Sequence, residues 1–471
     1  GEGVRPRSPL GSAWRASLSS TNPLGKSVEG WMQKFIWALS FWGVVVSGML
    51  AAQESSDSPV STEKLVGAWR ASLESGGGPV EFGLVLTAES GNLQAFVTNG
   101  PETIKVPQVG WDGRELRLGF DHFQSAIVAG LNAEEENLSG SFSRQKAGRV
   151  VAQLRFSARR ETANDRRYEP AEQWLGKWNV RFGESTDPAI GLFRRDVMSQ
   201  AGDIPMPEAA AAEAEPSKGS AAEEAVVGTF LTPTGDYRYL AGGVRAGVLR
   251  LSCFDGTHVY LFHSRLAEAN RLEGEFWSGA SSRVAWSGQR DEAAELPDAF
   301  RLTEARADVD WGSLQFPDLK GQPRRLDDPE FVGRARLVYL FGSWCPNCHD
   351  AAVFFGQLEK RYGDRGLKVL GLAFEATGDF AQDVEQVLIY ARRHEINYPL
   401  LVAGLADKEL ASRSLPFLDR VRSFPTAVLV DKNGRIQGVY TGFSGPATGE
   451  AYAEQERRFC ERIEALLDKS E

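Results

Sequence analysis

Cysteine and histidine are scarce in this chain of 471 residues, with four and five copies respectively. Four cysteines are too few for a disulfide scaffold, so the compartment has to be read from the N-terminus rather than from cross-links. Positive charge is also in deficit. A formal net charge of −10 and the lack of a basic stripe argue against a nucleic-acid partner, since phosphate binding needs a basic surface. The stretch 442–449 has three glycines but no Lys-Ser/Thr ending, so it is not a P-loop. Metal ligands do not cluster. Cys253 and Cys460 stand alone, and His349, directly after Cys348, does not by itself complete a tetrahedral zinc site, so neither a metal nor another cofactor is expected. What is present is ordinary for a globular chain, 42% hydrophobic and 25% charged, and long enough for two to four domains.

Residues 1–31 are rich in Arg, Ser, Pro and Gly without periodicity and are expected to precede the working start at Met32. Met32-Gln33-Lys34 leads into an uncharged run from Phe35 to Ala52 that ends in small residues, followed by polar Gln53-Glu54-Ser55-Ser56-Asp57. The segment 32–52 therefore reads as an export signal, with an uncleaved membrane anchor over 35–52 as the alternative. Residues 53–62 read as a linker, and the expected location is extracytoplasmic: periplasmic, secreted or anchored.

From 63 to 298 the pattern becomes short period-two runs between turn residues, such as Phe82-Gly83-Leu84-Val85-Leu86-Thr87 and Val248-Leu249-Arg250-Leu251. That is an all-β region, a sandwich or a barrel. It also reads as duplicated. Gly67-Ala68-Trp69 answers Gly176-Lys177-Trp178, Leu116-Arg117-Leu118 answers Leu249-Arg250-Leu251, and Leu138-Ser139-Gly140-Ser141-Phe142 answers Leu272-Glu273-Gly274-Glu275-Phe276. The first pair lies 109 residues apart and the last 134, so the second copy carries 25 extra residues. The low-complexity stretch 201–225 fits that insertion, giving repeats over 63–160 and 172–298. Gly-x-Trp on a first strand is similar to lipocalin-like barrels, while the turn spacing fits a sandwich equally. Cys253 shares a strand face with Leu249 and Leu251 and reads as a small core residue, and His258 and His263, on either side of a strand-like run, as ordinary surface or satisfied core residues. A Cys253–Cys460 disulfide would require close docking of two domains.

Chemistry concentrates in Phe341-Gly342-Ser343-Trp344-Cys345-Pro346-Asn347-Cys348, which follows the apolar run Leu337–Leu340 and opens a helical pattern. A CxxC at a strand-to-helix junction is a redox dithiol signature. The first sulfur lies at the helix start, where unpaired backbone N–H groups and the macrodipole favour an anion, so Cys345 is the expected nucleophile. Cys348, one turn in, is shielded and resolves the mixed disulfide.

Trp344-Cys345-Pro346-Asn347-Cys348, the later Ser423-Phe424-Pro425-Thr426 and the lead-in Phe316-Pro317-Asp318-Leu319 together resemble the TlpA/ResA-like extracytoplasmic thiol–disulfide oxidoreductases of thioredoxin fold, over residues 308–471. The resemblance implies a C-terminal α/β thioredoxin-like domain and an enzyme whose redox disulfide is Cys345–Cys348. It implies that Glu375 sits beside the dithiol and takes the Cys348 proton, and that Pro425 is the family's cis-proline. Trp344, Phe424 and Thr426 are then expected to face the substrate. Protein thiols or disulfides would be the substrates, with a membrane or periplasmic redox partner, and cytochrome c maturation is one setting the family suggests. One departure stands out: many thioredoxins bury an acid six residues before the first cysteine, where this chain has Tyr339.

After a charged link, 302–310, the expected layout is a helix carrying Ala351, Phe355, Leu358 and Tyr362 on one face, a buried strand 368–374, a helix 380–394, strands 426–430 and 435–440, and a last helix bordered by Cys460. Three function classes follow: an exported reductant of protein disulfides; a thiol peroxidase, weakened because peroxiredoxin sites have Thr where this chain has Gly342; and a β-repeat binding protein with an ancillary dithiol. Alkylation of the reduced chain followed by peptide mapping should modify Cys345 before Cys348 and Cys253; first labelling at either of the latter would reverse the assignment.

Overall fold

The computed structural model describes residues 61–196 and 224–468, apart from 133, 147, 269, 307 and 308. The leader 32–52 and most of the insertion read at 201–225 lie outside the described residues. Among the described residues no helix is long and apolar enough to cross a membrane.

The period-two runs build two nine-stranded antiparallel sheets. The first comprises β1 (Gly67–Ser75), β2 (Gly78–Glu89), β3 (Asn92–Asn99), β4 (Glu102–Lys105), β5 (Gln108–Trp111), β6 (Glu115–Phe120), β7 (Ser125–Leu131), β8 (Asn137–Lys146) and β9 (Arg149–Arg160). Its order is β4-β3-β2-β1-β9-β8-β7-β6-β5, and Val106 N, between the two edge strands, donates to Ala95 O of β3 at 2.9 Å, so the sheet curls almost to closure. The second comprises β10 (Gly176–Phe182), β11 (Ala189–Arg195), β12 (Val226–Thr232), β13 (Gly235–Asp236), β14 (Leu240–Arg245), β15 (Val248–Phe254), β16 (Val259–Glu268), β17 (Arg271–Ser278) and β18 (Ser282–Arg290). Pairing of β11 with β12 closes it into a ring, which decides between the sandwich and barrel alternatives. Strands two and three are joined by Ser90-Gly91 in the first barrel and by residues 196–225 in the second.

Each barrel is sewn shut by the same device. Trp69 on β1 stands opposite Arg160 on β9, whose guanidinium lies 3.9 Å over the indole. Trp178 on β10 stands opposite Arg290 on β18 at 4.4 Å. The indole N–H groups donate to Leu65 O at 2.9 Å and Trp174 O at 2.8 Å, so both large side chains are buried with their polar atom satisfied. The glycine of each Gly-x-Trp lies beneath the arginine: a Cβ would come within 2.8 Å of Arg160 Nη1 at Gly67, and 2.7 Å of Arg290 Nη1 at Gly176. Positive φ values of 130° and 112° at the same two positions give a second reason for glycine.

The barrels share a core. Phe254, from β15 of the second, stacks among Phe82, Phe120 and Phe142 of the first, at centroid distances of 4.7, 5.6 and 5.3 Å. Beside it the largely buried Arg238, 12% exposed, gathers carboxylates from three parts of the chain. Its guanidinium bonds Glu102 of β4 at 2.8 Å, pairs with Asp350 and reaches Asp255 at 3.7 Å. Asp236 also faces it and accepts from Gly445 N at 2.9 Å. His258, read as an ordinary surface or satisfied core residue, bonds Asp255 at 3.0 Å and so joins this cluster.

Asp350 belongs to the third sheet's layer. That sheet holds β21 (Ala335–Phe341), β22 (Leu367–Glu375), β23 (Leu400–Leu405), β24 (Thr426–Val430) and β25 (Ile436–Thr441), in the order β23-β22-β21-β24-β25, and is preceded by a hairpin of β19 (Gln315–Pro317) and β20 (Pro323–Arg325). The first three pair in parallel and the last two antiparallel. Four helices accompany it: α1 (Pro346–Tyr362), α2 (Phe380–Arg393), α3 (Lys408–Ser414) and α4 (Glu450–Asp468). All seven residues of β21 are buried, as a central strand covered on both faces requires. The sequence reading placed no element over β23 or α3, because a six-residue apolar run has no decisive period.

Burial outweighs the guanidinium at three of the four acids around Arg238: it raises Asp236, and it has large effects on Glu102 and Asp350, pushed up to about 7 and about 6. Both hold a proton more tightly folded than unfolded, so the stability present at low pH is lost as pH rises through those values. Arg238→Ala should cost about 3–5 kcal/mol, because carboxylates are left buried without a counter-charge. The loss should be larger at about pH 8 than at about pH 5. Thermal melts of wild type and variant at both values check this; an equal loss at both would show that the acids are not proton-loaded.

Candidate active site

The dithiol sits where β21 hands over to α1. Cys345 is the N-cap residue of α1 and Pro346 occupies its first turn, a position where the missing N–H costs nothing. Cys345 is 7% exposed and Cys348, one turn further, is fully buried. Cys345 Sγ donates to Phe424 O at 3.4 Å, and the Cys348 N–H bonds Cys345 O at 2.9 Å. Burial, reinforced by a hydrogen bond with Cys345, pushes the Cys348 thiol well above its ordinary value. All four cysteines are free thiols. Cys253 lies in the core of the second barrel and Cys460 accepts from Arg361 Nη1 at 3.5 Å, so the two do not pair.

Glu375 ends β22 and is 2% exposed. Its carboxyl is pushed up to about 7 by burial, against the pull of two bonds from Ser343. Ser343 N donates to Oε1 at 2.8 Å and Ser343 Oγ to Oε2 at 2.6 Å. The Glu375 charge is felt at Cys348, where it helps hold the thiol protonated.

The Phe424–Pro425 peptide is cis. Pro425 O accepts from Gly442 N at 3.0 Å, which leaves the Phe424 carbonyl to the Cys345 thiol. Trp344, 39% exposed, donates its indole N–H to Phe374 O at 2.9 Å and meets the Phe424 ring at 6.0 Å. The indole passes so close to Gly342 that a Cβ there would lie 2.2 Å from Nε1. Thr426 corrects an expectation. It is fully buried, with its hydroxyl on Ser423 O at 2.9 Å, so it shapes the turn rather than facing a substrate.

Several residues near the dithiol were missed. His349 directs Nε2 to Ser343 O at 2.8 Å and Nδ1 to His394 Nε2 at 2.6 Å. His122 and Phe123 of the first barrel pack their rings on it at 5.2 and 5.0 Å. Tyr390 OH donates to Cys348 O at 2.7 Å, and Tyr339 shares a bond with Tyr398 at 3.1 Å, all three tyrosines being buried. From the second barrel, Gly235 lies against Asn347, and a Cβ there would meet Nδ2 at 2.0 Å. Only the adjacency of Ser343, His349 and Asp350 to the CxxC motif could have flagged any of these.

No protein-family model matches the chain. The thiol-disulfide oxidoreductase ResA of Geobacillus kaustophilus (strain HTA426) is 27% identical over 125 residues, 26% of this chain and 63% of that protein. Thioredoxin-like protein YneN of Bacillus subtilis (strain 168) is 26% identical over 133 residues, 27% of this chain and 70% of that protein. The chain thus spans 63% of the length of the ResA relative. Among solved structures, a thiol:disulfide interchange protein of the thioredoxin family from Chlorobium tepidum TLS aligns at 19% identity with a TM-score of 0.26, over 37% of this chain and 99% of that one. Over about a quarter of its length this chain is similar to the ResA and YneN thiol-disulfide oxidoreductases.

Proposed function

We propose that the chain is an exported thiol–disulfide oxidoreductase that reduces disulfides in protein substrates through Cys345 and Cys348. The reading rests above all on one arrangement: a CxxC whose first cysteine stands at the N-cap position of a helix, whose second is fully buried, and whose neighbouring carboxyl is pushed up to about 7.

Cys345 gives up its thiol proton to water, and the thiolate attacks a substrate disulfide. A Cys345–substrate bond forms, the substrate's own S–S bond breaks, and its second sulfur leaves as a thiolate. Cys348 then gives its proton to Glu375 and attacks Cys345 Sγ, expelling the substrate's first sulfur as a thiolate and leaving the Cys345–Cys348 disulfide. Two electrons pass to the substrate, and an external dithiol reductant, a membrane or periplasmic redox partner by the resemblance, restores the pair. Once the Cys345 proton is gone, the Phe424 carbonyl is free to accept from an extended substrate backbone, with the exposed Trp344 ring beside it. The thioredoxin-like region carries this chemistry, and the two β regions, read as copies of one barrel on the strength of their matching seams, form its platform. The peroxidase alternative has little support, since Trp344 crowds the place where its threonine would stand.

Reduction of insulin disulfides by the full chain, with a glutathione redox titration of the dithiol, tests the proposal. Cys345→Ser should abolish turnover. Glu375→Gln should slow it by about tenfold or more and remove the titration near neutral pH, without unfolding the chain. Insulin reduction that survives Cys345→Ser would refute the reading.

A further inference from the structure

Glu375 is a base only if its carboxylate is held toward the dithiol, and an exchanging carboxyl at a strand end has torsional freedom to turn away. Both of its oxygens are tethered by one residue, Ser343, through the backbone N–H at 2.8 Å and the hydroxyl at 2.6 Å. Ser343 is itself fixed. Its carbonyl accepts from His349 Nε2–H at 2.8 Å, which leaves His349 Nδ1 as an acceptor, so that His394 Nε2 supplies the hydrogen of the 2.6 Å contact between the rings. The two imidazoles thus have one tautomer each, and that arrangement requires His349 to be neutral. Burial, with His394 and His122 nearby, lowers its proton affinity well below the ordinary histidine range.

We propose that Ser343 is the positioning residue for Glu375, gripping both carboxylate oxygens, and that His349 and His394 hold Ser343 in place. This rests on Glu375 acting as the proton acceptor for Cys348. The groups facing Glu375 are Ser343, Cys348 of α1 and Asp383 of α2. Those facing His349 are His394 and Arg393 at the end of α2, Tyr390 of α2, and His122 and Phe123 of the first barrel. The chain of hydrogen bonds therefore runs from His394 through His349 and Ser343 to the base, and rings of the first barrel pack against it.

Reaction of the reduced full chain with an aromatic disulfide such as dithiobis(nitrobenzoate) separates the steps. The first thiolate released reports attack by Cys345 and the second reports attack by Cys348 on the mixed disulfide. Ser343→Ala should leave the first phase unchanged and slow the second by about tenfold, a hydrogen bond to a charged group being lost. Because the Ser343 hydroxyl bond favours the ionised carboxylate, its loss should also move the rise of the second phase with pH to higher pH, while the backbone N–H bond is kept. Ser343→Thr, which keeps the hydroxyl, should restore both. His394→Leu, distant from the carboxylate, should produce the same shift in smaller degree and serves if Ser343→Ala folds poorly. A second phase with wild-type rate and pH profile in Ser343→Ala, or in His394→Leu where that variant stands in, overturns the inference. Glu375→Gln tells the two failures apart: an altered second phase there with Ser343→Ala unchanged refutes the positioning role alone, whereas an unaltered one removes the base and the positioning role together.

Discussion

A guanidinium surrounded by carboxylates and largely withdrawn from water is an expensive object, and Arg238 is tolerable only because three parts of the chain assemble around it at once. Glu102 comes from the first barrel, Asp236 and Asp255 from the second, and Asp350 from the helix that carries the dithiol. Asp350 lies two residues after Cys348, so the first turn of the redox helix cannot shift without disturbing that charge. His349, between them, is packed by the first barrel in the same way. The barrels are therefore part of the frame that fixes the orientation of the dithiol, and this agrees with the shared core around Phe254.

Within that frame the chemistry is a matter of where protons reside. Cys348 is buried and neutral, and the place six residues before Cys345 is taken by Tyr339, whose hydroxyl is held far above neutral by burial and by its tyrosine neighbours. A phenol there cannot accept a proton in the working range. The Glu375 carboxyl lies close to neutrality, because burial has carried it up while Ser343 keeps it from going further. The balance between desolvation and two hydrogen bonds sets the position of that carboxyl.

The dithiol is legible in the sequence because its parts are contiguous: an apolar strand, two cysteines one helical turn apart, and a proline at the first helical position. The alternation in β1 is legible for the same reason, since Trp69, Ala71 and Leu73 fall on one face and are buried. Glu375, Phe424 and Pro425 are far from the cysteines in sequence and could be found only through the resemblance. Residues with neither contiguity nor a motif stayed hidden. His394, Tyr390 and Arg238 lie 45, 42 and 112 residues from the partners they hold, and a lone histidine, tyrosine or arginine carries no periodic signature. Thr426 shows the opposite failure: a motif neighbour was read as a surface because adjacency in sequence does not report burial.

The seams of the two barrels have a further consequence. In each, the strand that brings the chain in lies against the strand that takes it out, Trp69 facing Arg160 and Trp178 facing Arg290. Entry and exit are therefore side by side on the rim, and a whole barrel could be spliced into a host chain or excised from it with the flanking ends already close enough to join. Gene duplication could copy such a unit as a cassette. The indole and guanidinium that lock the seam travel inside the cassette, so a newly copied barrel would carry its own closure.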